Sequence, residues 1–274
     1  MLNDLRIALI GAGAMGEALL AGLLRQALVL PDQIMATEPR AERRQELAAR
    51  YQITMSDDNV AAARQANLLI LAVKPQVLPH VLPPLRGTLG ERALCISIVA
   101  GVSLHTLVQN LGHTLVVRSM PNTPAQIGAG MTVWSATSEV GAEHRNQARA
   151  VLGALGRELF VDDEQYLDMA TAVSGSGPAY FFLIIEAMID AGVQLGLPRH
   201  MAETLVTHTM LGSVQYAQQS TRHPAVLRNA VTSPAGTTAA ALAVLERGGL
   251  RTALSDAIRA AYQRSVELGQ QNQR

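Results

Sequence analysis

The sequence predicts an α/β fold, a parallel sheet covered by helices, followed by an all-helical half. Three observations predict it. Apolar runs of strand length alternate with helical periods as far as about Asp163. A glycine-rich turn, Gly11-Ala12-Gly13-Ala14-Met15-Gly16, directly follows the first of those runs. Beyond Asp163 strand signals vanish and only helical patterns remain.

The elements follow in order. Leu5–Ile10 reads as a strand, Ala14–Gln26 as a helix, Gln33–Thr37 as a strand and Ala41–Arg50 as a charged helix. Leu68–Val73, Leu94–Ile98 and Thr114–Arg118 read as further strands, with a short helix at Leu104–Asn110. Met131–Ser135 and Leu159–Val161 are candidates for later strands. In the second half Glu164–Val173, Pro178–Leu195, Pro198–Gln218, Pro224–Val231, Thr238–Glu246 and Leu250–Leu268 read as helices. Pro178, Pro198 and Pro224 stand where helix starts are expected. The tail Gln270–Arg274 reads as a frayed end. These readings divide the chain into a nucleotide-binding domain, residues 1–163, and a helical domain, residues 164–274.

Composition narrows the class. The 274 residues are 49% hydrophobic but only 3% aromatic, so the packing is aliphatic and alanine-based. Formal net charge is zero and no basic block stands out, which argues against a nucleic-acid partner. The single cysteine, Cys95, lies within an apolar run and reads as a small buried hydrophobe in a reducing, cytoplasmic compartment. Ala179–Leu197 is apolar but interrupted by Glu186, Asp190 and Gly192, a poor membrane span and a good buried helix. Its helix is apolar nearly all round, so it needs partners on every side. A homodimer of interlocked helical domains is the expectation. No histidine and carboxylate spacing suggests a metal site.

Gly11, Gly13, Ala14, Met15 and Gly16 suit a Rossmann-like dinucleotide site. Glycines allow a tight turn and close approach of backbone to a pyrophosphate, whose charge the helix N-terminus then faces. The end of the second strand should choose the cofactor, and Thr37-Glu38-Pro39-Arg40-Ala41-Glu42-Arg43-Arg44 carries both signals. Glu38 favours NAD; Arg40, Arg43 and Arg44 are either a clamp for the extra phosphate of NADP or a solvated helix face. The expectation is NADP(H) preferred with NAD(H) tolerated. Val73-Lys74-Pro75 closes the third long strand, and Lys74, the chain's one lysine, is a cofactor or site-floor candidate. Arg118-Ser119-Met120-Pro121-Asn122-Thr123-Pro124 reads as a rigid turn at the same edge.

With these residues in hand the chain resembles the pyrroline-5-carboxylate reductases over essentially its whole length. The resemblance rests on Gly11–Gly16, Ala72–Gln76, Arg118–Pro124, Ala172–Tyr180 and, most distinctively, Leu227–Thr238 continuing to Glu246. It implies reduction of a small cyclic imino acid, 1-pyrroline-5-carboxylate, to L-proline, and a helical dimerisation domain that completes the active site. It implies that Asn59 touches the cofactor ribose, and that dimers in some members build larger rings. In a site of this kind Ser233, Gly236 and Thr237 supply hydroxyl and amide donors to the substrate carboxylate, with Ser176 closing the site. Thr238 is the candidate catalytic residue, set to meet the imine nitrogen. Plain helix capping by these serines and threonines is the structural alternative. A hydroxyacid dehydrogenase would need a lysine on the helical half, and none follows Lys74. A non-catalytic dinucleotide sensor is the remaining rival.

Overall fold

The computed structural model describes Leu2 and residues 5–271; residues 272–274, the end of the expected frayed tail, lie outside the described residues. Eight strands form one sheet: β1 (Ile7–Ile10), β2 (Ile34–Thr37), β3 (Thr54–Ser56), β4 (Leu68–Leu71), β5 (Leu94–Ser97), β6 (Val116–Met120), β7 (Gly130–Ala136) and β8 (Gly156–Phe160). Their order across the sheet is β3-β2-β1-β4-β5-β6-β7-β8. Strands β1 to β6 are mutually parallel, as expected. Strand β7 departs from that pattern and pairs antiparallel with β6, and β8 pairs parallel with β7.

Alternation along each strand builds two cores. Ile7 and Leu9 of β1, Leu68 and Ile70 of β4, and Leu94 and Ile96 of β5 face one side. There they pack with Leu19, Leu20 and Leu23 of α1 (Ala14–Arg25) and Val151 and Leu152 of α6 (Ala142–Gly153). Ala8, Ile10, Leu69, Leu71 and Cys95 face the other side. Their partners there come from α3 (Asn59–Arg64), α4 (Leu78–Leu85) and α5 (Leu104–Leu111), whereas Tyr51 at the end of α2 (Ala41–Tyr51) packs against the first core. Burial on both faces is why these strands read as continuous apolar runs. Cys95 is fully enclosed and burial pushes its thiol up to about 12, so it behaves as a packing residue.

The rest is helical: α7 (Tyr166–Ala170), a π-helical turn at Thr171–Gly175, α8 (Gly177–Gln194), α9 (Arg199–Gln219), α10 (Pro224–Ala230), α11 (Thr237–Arg247) and α12 (Leu250–Gln271). The chain forms two compact units: one runs through Ser176 and takes up the chain again at Ala261, the other is Gly177–Ala260. Strands end at Phe160, while the compact units part at Ser176 and Ala261.

Within the second unit α8 packs on α9, where Gly192 lets Ala202 approach so closely that a Cβ on Gly192 would sit 3.2 Å from the Ala202 methyl. Only Ile189, Ala202 and Val206 form a buried cluster there. Phe181, Phe182, Leu183, Leu205, Leu211 and Val214 are all at least half exposed. The helical stretch Tyr166–Gln194 is long and apolar enough to cross a membrane by length and composition.

Candidate active site

The register fixes where the loops emerge. Ile10 is level with Thr37 on one side and with Leu71 on the other, and Leu71 is level with Ser97. The chain leaves β1, β2, β4 and β5 along one carboxyl edge. The strand order reverses between β1 and β4, the crevice where open α/β sheets bind ligands.

Three glycines line that crevice for three different reasons. Gly11 has φ +96°, and a Cβ there would meet the Val73 side chain at 2.8 Å and the Ala72 carbonyl at 2.9 Å. Gly16 lies against the Gly11 carbonyl, 2.2 Å from where its Cβ would be, so only glycine lets α1 start this close to the strand. Gly13 is exposed, and a Cβ there would meet nothing within 4 Å. Nothing in the fold demands glycine at that position; bare backbone facing open space is what a pyrophosphate needs. Gly13 is also the N-cap of α1 and makes no side-chain cap, so the first amides of α1, from Ala14 and Met15, stay available. These residues fit a dinucleotide.

The rim beside β2 is tightly wired. Glu38 is only 6% exposed, and its amide donates to the Ser56 carbonyl at 3.1 Å. The Arg40 guanidinium donates to the Glu38 carboxylate at 2.7 Å. Thr37 donates its hydroxyl to Asn59 Oδ1 at 2.6 Å, fixing Asn59 at the start of α3, which Asp58 caps. Arg43 is engaged by Glu17 and Glu46, and Arg44 by the carbonyls of Glu38 and Pro39 and by Asp57. Arg43 and Arg44 are thus held by neighbouring groups of the fold, while Arg40 remains at the surface. Sequence reasoning missed Ser56 and Asp57, because the three-residue strand that ends at Ser56, just before Asp57, is too short to signal itself.

Lys74 is exposed after β4, with Val73 walling Gly11 and Pro75 opening a 3-10 turn. Asn122 donates to the Ser174 carbonyl at 3.0 Å and accepts from the Met131 amide at 2.9 Å, which ties the Met120–Pro124 turn to the π-helical turn. Ser176 ends that turn, its amide donating to the Thr171 carbonyl at 2.8 Å across the π-helical span.

In the second unit the loop between α10 and α11 carries Ser233, Gly236, Thr237 and Thr238. Helix α11 starts at Thr237, one residue earlier than expected, and Gly236 is its N-cap with no side-chain cap. The capping alternative therefore fails for Ser233, Thr237 and Thr238. Among the described residues none of their hydroxyls has a hydrogen-bond partner, whereas Thr232 spends its hydroxyl on the Arg228 carbonyl. Ala235 holds φ +55°, a left-handed conformation costly for alanine, and thereby aims the turn. Uncapped amides and unspent hydroxyls at one helix start form a ready anion and hydrogen-bonding site.

A cavity of about 290 Å³ opens at the opposite, amino-terminal edge, among Arg6, Asp32, Gln33, Thr54 and Gln65. None of the sequence-predicted site residues lines it.

Residues 164–268 match the family described as pyrroline-5-carboxylate reductase dimerisation, and residues 6–101 that described as NADP oxidoreductase, coenzyme F420-dependent. A pyrroline-5-carboxylate reductase of Synechocystis sp. is 45% identical over 266 residues, 97% of this chain and 99% of its own. The chain belongs to the pyrroline-5-carboxylate reductase family. A reductase of Pseudomonas aeruginosa is 44% identical, over 97% of each chain. Among solved structures, the pyrroline-5-carboxylate reductase of Coxiella burnetii has TM-score 0.90 at 36% identity, over 97% of this chain and 99% of that one. The pyrroline carboxylate reductase of Plasmodium falciparum, solved with NADP bound, has TM-score 0.89 at 29% identity, over 97% and 99%.

Proposed function

We propose that this chain reduces 1-pyrroline-5-carboxylate to L-proline, using NADPH and accepting NADH. The observation that carries the substrate site is the start of α11, where Ser233, Thr237 and Thr238 hold unspent hydroxyls beside uncapped amides. The nucleotide reading is supported by Gly11, Gly13 and Gly16 at the strand-order reversal.

The substrate is a cyclic imine with a carboxylate. When bound, the reduced nicotinamide supplies the hydride that reaches the imine carbon. The nitrogen gains a proton, so the C=N bond becomes a secondary amine. An imine is basic enough to be protonated partly by water, so a strong acid on the protein is less essential than for a ketone. Thr238 orients the nitrogen through its hydroxyl. The amides of Gly236 and Thr237 and the Ser233 hydroxyl hold the carboxylate, and Ser176 closes the site. Gly11, Gly13, Ala14, Met15 and Gly16 cradle the pyrophosphate. Glu38, Arg40 and Asn59 meet the adenosine ribose, and Val73, Lys74 and Pro75 line the floor.

The helical domain, residues 164–274, we assign to substrate binding and dimerisation. The exposed apolar faces of α8 and α9 are then covered by a second copy, and dimers are the unit from which a larger ring would be built. Neither nucleic acid nor a bilayer is needed as a partner. The cytoplasm is its assigned compartment, supported by the lone buried thiol of Cys95.

Thr238→Ala tests the site. kcat should fall about tenfold or more, the loss of one transition-state hydrogen bond. The thermal midpoint moves by less than about 2 °C, since no hydrogen bond within the described residues is removed. Thr238→Ser should recover most of the rate. An unchanged rate in Thr238→Ala would remove Thr238 from the chemistry.

A further inference from the structure

We propose that Asn122 is a positioning residue for the reaction, holding the π-helical turn Thr171–Gly175 in the shape that presents Ser176 to the substrate. This role rests on the reading above in which Ser176 closes the substrate site, and it names the group that decides where Ser176 stands.

The need for such a group begins with Pro178. In a regular α-helix the Ser174 carbonyl accepts the amide of the residue four places on. That residue is Pro178, which has no N–H to give. The turn is also wider than an α-helix, because the Ser176 amide reaches back five residues to the Thr171 carbonyl. Three hydroxyls lie along it. Thr171 donates its own to the Leu167 carbonyl at 2.7 Å, and Ser174 to the Ala170 carbonyl at 2.9 Å. Among the described residues the Ser176 hydroxyl makes no hydrogen bond, so it alone of the three is left for a ligand.

Asn122 supplies what Pro178 withholds. Its side-chain nitrogen donates to the Ser174 carbonyl at 3.0 Å, and its side-chain oxygen accepts the Met131 amide at 2.9 Å. One end is therefore anchored on β7 and the other fixes the turn. An asparagine that precedes a helical turn ordinarily caps it. Asn122 is the N-cap of the 3-10 turn Thr123–Ile127, yet its side chain makes no cap there. The same segment packs on the π-helical turn through Met120, whose terminal methyl lies 3.0 Å from where a Cβ on Gly175 would stand. Without the Asn122 amide the Ser174 carbonyl loses its donor, the turn repacks and the Ser176 hydroxyl moves. A shift of about 1 Å in a substrate-holding group costs up to about a hundredfold in rate.

The test is a double-mutant cycle in the full-length protein, reading kcat and KM for 1-pyrroline-5-carboxylate at saturating NADPH. Asn122→Asp keeps the size of the side chain and the oxygen that Met131 uses, and replaces the donor to Ser174 by a carboxylate oxygen. Asn122→Ala, which brings no charge, repeats the comparison if the aspartate variant does not fold. kcat/KM should fall about tenfold in Asn122→Asp and in Ser176→Ala, while NADPH affinity, read by fluorescence titration, stays within about twofold. The double variant should be no slower than Ser176→Ala alone, because Asn122 acts through Ser176. Losses that multiply in the double variant, a fall in NADPH affinity alongside, or an unchanged kcat/KM in the Asn122 variants would overturn the proposal. If Ser176→Ala leaves kcat/KM unchanged, Ser176 leaves the substrate site and the proposal falls with that reading; if Ser176→Ala is slow and Asn122→Asp is not, only the role of Asn122 is lost.

Discussion

Arg118 on β6 donates to Glu164 Oε1 at 2.7 Å, and the same oxygen accepts the Leu104 amide at the start of α5, also at 2.7 Å. The second arm of the guanidinium reaches Asp168 on α7 at 3.3 Å, and Asp168 in turn accepts the Ser265 hydroxyl at 2.9 Å. One enclosed arginine therefore joins β6, α5, α7 and the last part of α12. It does so three residues before Pro121 opens the turn at the carboxyl edge.

Arg118→Met should cost about 1–3 kcal/mol, the scale of hydrogen bonds to charged groups. Glu164 and Asp168 keep over a fifth of their side-chain surface exposed and rehydrate in part, which holds the loss below that of a fully buried pair. Urea unfolding measures it. A change under about 0.5 kcal/mol would show that the network is dispensable.

Glu17 gives the fold an acid limit. Burial raises its carboxyl, but hydrogen bonds from Arg43, Tyr51 and Arg50 outweigh that, and its pKa lies below the ordinary 4.5. A carboxyl whose folded pKa is lowered adds stability that is complete above the unfolded pKa and is lost as pH falls through the folded one. The stability difference between the parent protein and Glu17→Gln should therefore be constant at neutral pH and shrink as pH drops below about 4.5. A difference that does not vary with pH would contradict it.

Leu183 is 66% exposed on α8, beside Phe181 and Phe182, which are more than half exposed. A charge placed there should be tolerated by the helix but not by a buried interface between copies. Leu183→Glu should halve the mass measured by light scattering at micromolar concentration while leaving the circular dichroism helical. A parent protein that is already monomeric would contradict the dimer outright.

Much of this fold was legible because both of its periods are clean. Ile7–Ile10 and Leu68–Leu71 are apolar at every position, and Leu94–Ser97 at every position but Ser97, as expected of strands buried on both faces. The elements that escaped have physical reasons. Strand β3 is three residues long at the sheet edge. Helix α4 carries Pro79, Pro83 and Pro84, which read as breakers although its Leu78, Val81, Leu82 and Leu85 hold it down. Helix α6 opens on a charged run, and apart from Gln147 its buried face is late, at Ala148, Val151 and Leu152. The reversal at β7 lies in the link: residues 121–129 with one 3-10 turn are too short for a crossover between parallel strands.

The site divides in the same way. Glycine spacing and the Leu227–Thr238 stretch pointed to their loops directly. The commitments of Arg43 and Arg44 depend on Glu17 and Asp57, partners on other elements, and no local pattern encodes them. The Gly236 cap was likewise hidden, because serine and threonine beside it are the commoner caps.

The most direct measurement mixes the protein with 1-pyrroline-5-carboxylate and NADPH and follows both the loss of reduced nicotinamide absorbance and the appearance of proline. One NADPH should be consumed for each proline formed, with slower or comparable consumption of NADH. No consumption of either nucleotide, or consumption without proline, would contradict it.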